Sequence, residues 1–72
     1  MKLSMAQEGK EYKILSIDTN DEELNSFLFT LGCYQGEPIT VIKQRKSGSI
    51  IVIKDGRYSI DRRLSDAITV TE

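Results

Sequence analysis

The sequence predicts a mainly β protein: a small, strongly bent antiparallel barrel with one α-helix. Three observations predict it. Short segments rich in Val, Ile, Thr and Tyr alternate with Gly-, Asp- and Ser-containing turns along most of the chain. A single stretch, from Asn20 to Gly32, carries helical spacing instead. The chain has only 72 residues, enough for one domain (residues 1–72) and one core.

The helix has a start, a stripe and a stop. Leu24, Phe27, Leu28 and Leu31 recur at i, i+3, i+4 and i+7, which sets them on one face. Asn20 can accept from the free N–H groups of the first turn, with Glu23 three residues on to complete a capping box. Asp21, Glu22 and Glu23 place negative charge at the positive end of the helix dipole. Gly32 supplies a left-handed stop. The spacing predicts a helix over 20–31, with Leu28 and Leu31 packed against Ile14, Val41 and Val52 or their neighbours.

The strands follow from alternation and turn chemistry. Residues 1–7 form an edge segment or lead-in, and Glu8-Gly9-Lys10 reads as a turn. Tyr12–Ile17 reads as a strand apolar on both faces, which suits a curled sheet. Pro38 lacks an N–H and belongs at the start of the next strand, Ile39–Gln44. Arg45–Ser49 forms a basic hairpin tip before Ile50–Lys54, the most apolar strand, expected to lie centrally. Asp55-Gly56 signals a two-residue hairpin into Arg57–Ile60. Residues 61–66 suit one helical turn, and Ile68–Val70 closes the sheet.

Composition narrows the function. The net charge of −1 argues against a general phosphate-binding surface. One cysteine permits no internal disulfide and suits a reducing compartment. No apolar run approaches the roughly 20 residues of a membrane span, and no signal-peptide core is present, so a cytoplasmic module with no direct membrane insertion is expected.

The order and spacing of these features resemble the ferrous iron transport protein A (FeoA) family. The likeness runs through Leu3, Gly9, Ile14 and Ile17, the helix ending in Leu31-Gly32, and Gly36 four residues later. Ile39-x-Val41, Gly56 and Ile68-x-Val70 complete it. The chain departs from the family in having Gln35 where a proline usually precedes the second glycine. Lys46-Ser47-Gly48-Ser49 stands in for a longer Pro- and Gly-rich segment, and Asn25, Ser26 and Phe27 replace basic helix residues. The resemblance implies an SH3-like barrel that assists the ferrous iron transporter, ferrous iron transport protein B, by protein–protein contact. Similar domains also end iron-dependent repressors, where they bind protein segments or stabilise a state. A small barrel that binds nucleic acid, as small barrels often do, or serves in regulation is the alternative.

Chemistry-bearing residues are few. There is no histidine, the commonest general base near neutral pH, and no Gly-rich phosphate loop. Cys33 has no histidine to activate it and reads more readily as a small apolar residue. Catalytic, cofactor and metal roles are therefore not expected. Lys43, Arg45, Lys46, Arg57, Arg62 and Arg63 could meet nucleic acid, yet charged hairpin tips ordinarily keep edges soluble, and no nucleic acid is expected. Phe29 is the pointer to a partner. It lies about 140° around the helix from Leu24 at 100° per residue, away from the apolar stripe. It is either covered by a loop or, with Cys33 and Tyr34, an anchor for the transporter or a second copy of this chain.

Overall fold

The structure, a computed structural model, describes residues 1–71. Alternation of apolar residues builds five strands: β1 (Glu11–Ile17), β2 (Pro38–Arg45), β3 (Gly48–Ile53), β4 (Gly56–Asp61) and β5 (Ile68–Val70). They form one antiparallel sheet in the order β4-β3-β2-β1-β5. β1 hands over from β2, paired through Glu11–Lys13, to β5, paired through Ile14–Ile17. The sheet therefore wraps on itself around the core.

Two irregularities bend it, between Ile14 and Ser16 and between Val41 and Lys43. Each turns an apolar residue outward: Leu15 is 47% exposed and Ile42 36%. The strand predicted to be apolar on both faces thus owes its second face to a bulge, and Leu15 stays at the surface. Ile14, Ile39, Val41, Ile51, Ile53 and Val70 fill the interior; on β3 it is the neighbours Ile51 and Ile53 that enter the core, while Val52 points outward and is half-buried. β3 has a neighbour on each side, as expected of the most apolar strand, although β2 occupies the middle of the order.

The hairpin between β3 and β4 differs by one residue from its sequence signal. Ile53 pairs with Gly56, so the loop is Lys54-Asp55, with Lys54 at φ 53°. Gly56 pairs within the strand, and its lack of a Cβ leaves room for the Tyr58 ring, whose hydroxyl lies over it.

The predicted single helix is α1 (Glu22–Thr30), and a second, six-residue helix, α2 (Arg62–Ala67), forms where one turn was expected. Asp61 caps α2 by accepting from the Leu64 N–H. Asp21, rather than Asn20, caps α1, its carboxylate accepting from the Glu23 and Leu24 N–H groups at 3.0 and 3.3 Å. Asn20 is spent on the turn, at φ 58°. Gly32, at φ 92°, ends the helix as the sequence predicts.

The N-terminal segment, with a 3-10 turn at Leu3–Met5, packs as part of the barrel, and Leu3 is fully buried. Gln44 ties it down: its amide nitrogen donates to the Leu3 and Ala6 carbonyls, and its amide oxygen accepts from Ser49. Three polar groups at this end of the barrel are satisfied by one side chain.

Candidate functional site

Helix α1 rests on the barrel through a narrow ridge. Leu28 is fully buried, Leu24 and Leu31 are half-buried, and Phe27, predicted on the same stripe, is 51% exposed. Phe29, on the other side of Leu28, is 63% exposed. Two aromatic side chains on one nine-residue helix thus face solvent on opposite sides of its anchor.

Of the three sequence-predicted site residues, two meet at the surface. The Phe29 and Tyr34 rings lie 5.0 Å apart at 37°, a tilted contact that carries the apolar surface from the helix onto the following turn. Cys33 lies beneath them, 1% exposed, and burial pushes its thiol up to about 11. At neutral pH it is a neutral apolar residue in the floor, not a nucleophile. The turn itself is fixed by backbone bonds from Cys33 N–H to the Leu28 carbonyl and from Gly36 N–H to the Ile14 carbonyl.

These residues border a shallow groove whose opposite wall is Leu15, Ser16 and Ile17 of β1, with Asn25 and Gln35 at its ends. Leu15 was not singled out by sequence reasoning. Its signal was the apolar residue on the outer face of β1, which the bulge turns toward Phe29's side of the molecule.

One edge of the patch is charged. The Lys54 ammonium sits 5.4 Å from the Tyr34 ring centre and 2.8 Å from the Glu37 carboxylate. That hydrogen bond holds Glu37 below the usual carboxylate range and Lys54 above the usual ammonium range. The Lys54 chain runs close over Gly32, where a Cβ would lie 2.9 Å from it. Among the described residues, no group of three or more Cys, Asp and Glu could hold a metal ion. No helix of the described residues is long and apolar enough to cross a membrane.

Comparison with known proteins gives a family and a fold. A family model for the FeoA domain matches residues 1–72. The crystal structure of an iron uptake regulatory protein (FeoA) is similar, with a TM-score of 0.86 and 22% identity, over 97% of this chain and 93% of that one. A manganese-dependent transcriptional repressor is similar with a TM-score of 0.88 and 15% identity, over 97% of this chain. The chain spans 40% of that repressor. At these identities the two likenesses establish the fold. No curated protein sequence matches the chain.

Proposed function

The chain belongs to the FeoA domain family, with its SH3-like barrel, and from that premise we propose an accessory protein of a ferrous iron transport system. It acts in the cytoplasm by protein–protein contact with the membrane transporter, ferrous iron transport protein B, and catalyses nothing itself. The observation that supports contact is the Phe29–Tyr34 pair: a large apolar surface held on a fixed turn beside Leu15. Aromatic residues with few rotatable bonds are efficient anchors, because little side-chain entropy is lost on docking. The absence of histidine and the neutral, buried Cys33 support the non-catalytic reading.

A regulatory or nucleic-acid-binding barrel is the second reading, and the fold shared with a repressor is what favours it. The net charge of −1 weighs against nucleic acid. Titration of the transporter's cytosolic portion with this protein tests the first reading. Phe29→Ala should weaken binding about thirtyfold, the scale of a 2 kcal/mol hot spot, with the fold intact. Undiminished binding by Phe29→Ala overturns the assignment of this patch. Saturable RNA or DNA binding at physiological salt would favour the second reading.

A further inference from the structure

The two outer strands of the sheet are finished differently. β5 is covered by the N-terminal segment: Lys2 bridges to Thr69, and the Val70 N–H donates to the Met1 carbonyl at 2.7 Å. Among the described residues β4 pairs with β3 alone. Its hydrogen-bonding parity follows from one bond, Arg62 N–H to the Ser47 carbonyl, which continues the β3–β4 register. Counting back by twos, Ile60, Tyr58 and Gly56 face β3, and the N–H and C=O groups of Arg57, Ser59 and Asp61 point away from it. All three residues are exposed.

We propose that this edge pairs with the same edge of a second copy, β4 against β4 antiparallel, with Ser59 on the two-fold axis. An isologous contact must satisfy its own pattern in reverse. Centred on Ser59, Arg57 falls opposite the partner's Asp61 and Asp61 opposite the partner's Arg57, so both cross-strand pairs join opposite charges. Moving the two-fold axis from Ser59 to Arg57 or to Asp61 sets Arg57 against Arg57 or Asp61 against Asp61, and the charges then repel. Among the described residues Arg57 has no ion-pair partner, and Asp61 uses only one oxygen, on the Leu64 N–H. Beside the edge lies a groove lined by Ser59, Ile50, Leu64 and the exposed Phe27, so apolar surface adjoins the strand contact. The proposal is independent of the transporter reading, which uses the other side of α1.

Sedimentation across a concentration series up to about 1 mM tests it, a range suited to small interfaces. A concentration-dependent dimer is expected. Arg57→Asp and Asp61→Arg should each weaken self-association about tenfold or more by setting like charges opposite one another. Mixing the two variants should restore association, because each then presents the complement of the other at both positions. If Asp61→Arg fails to fold for want of its cap, Ser59→Cys carries the same test. Paired Cα atoms at about 5.5 Å suit a disulfide, so mild oxidation should yield a covalent dimer that Arg57→Cys does not form. A monomer at every concentration overturns the proposal, as does a dimer indifferent to both charge reversals or unable to form the Ser59→Cys crosslink.

Discussion

β3 and α1 stand in opposite relations to the same core. Six-residue β3 buries Gly48, Ser49, Ile51 and Ile53, while nine-residue α1 buries Leu28 alone. β3 is held by ladders on both sides, so its inward residues have nowhere to go but the interior. α1 reaches the shared interior through Leu28, which joins the same core cluster as Ile14, Ile51 and Ile53, and leaves the rest of its surface outside it. The residues beside Leu28, Phe27 and Phe29, are exposed. The strand supplies cohesion and the helix supplies surface, in a chain too short to do both in one element.

Two truncations test that division hardest. Ile51→Ala and Leu28→Ala should each cost about 2–5 kcal/mol, since both remove fully buried aliphatic volume. Their hydrogen exchange should differ. Loss of Ile51 lowers protection across all five strands, whereas loss of Leu28 frees the α1 amides first and leaves β3 comparatively protected. Uniform loss of protection in Leu28→Ala would mean that the helix is integral to the barrel.

Cys33, buried just past the end of α1, should make the fold sensitive to alkali. Its thiol is raised from 9.0 to about 11 by burial, so between those values the unfolded chain releases a proton that the folded chain keeps. Stability should fall through that window and be unaffected by this group below it. Lys54, also raised, adds its own decline above its ordinary value of 10.5. Denaturant melts of Lys54→Met with and without Cys33→Ala, from pH 8 to 11, isolate the thiol. An equal alkaline decline in both chains would show that Cys33 plays no part.

The helix start offers a smaller effect. Asp21→Ala removes the acceptor for two N–H groups and should cost about 1 kcal/mol, while Asn20→Gly should be near neutral or stabilising at its positive φ. Thermal melts of the two variants would separate the cap from its neighbour.

Most of the barrel was legible in the sequence because strand burial has a period of two, and a few punctuating residues fix the phase. Pro38 opens β2, Gly32 ends α1 and Gly9, at φ 83°, turns into β1, each for a backbone reason visible in one letter. What the sequence concealed depends on shape or on competition between equals. Asn20 and Asp21 can both cap, and the choice fell to the turn geometry. The Asp55-Gly56 signal marked the right hairpin one residue late: Lys54 takes the positive φ and Gly56 pairs with Ile53. The helix stripe located Leu28 but could not give the width of the contact, in which Leu28 alone is fully buried. For the site, the off-stripe position of Phe29 was readable. Its company with Leu15 was not, since that needs the bulge in β1.

The smallest stability effects belong to the two exposed aromatics, and they sharpen the comparison most. If α1 is surface rather than core, Phe27→Ala should change stability by no more than about 0.5 kcal/mol, the range of ordinary surface substitutions. Phe29→Ala should cost slightly more, up to about 1 kcal/mol, because the Tyr34 contact is lost with the ring. A double-mutant cycle with Tyr34→Ala assigns that excess, since Phe27 has no aromatic neighbour among the described residues and should show no coupling to Tyr34. Binding should rank the two differently from stability: the transporter titration loses affinity with Phe29→Ala and is indifferent to Phe27→Ala. Equal losses of affinity would mean that the partner covers the whole exposed side of the helix. A stability loss above about 2 kcal/mol for either variant, the scale of buried truncations, would return that residue to the core and remove the contrast with β3.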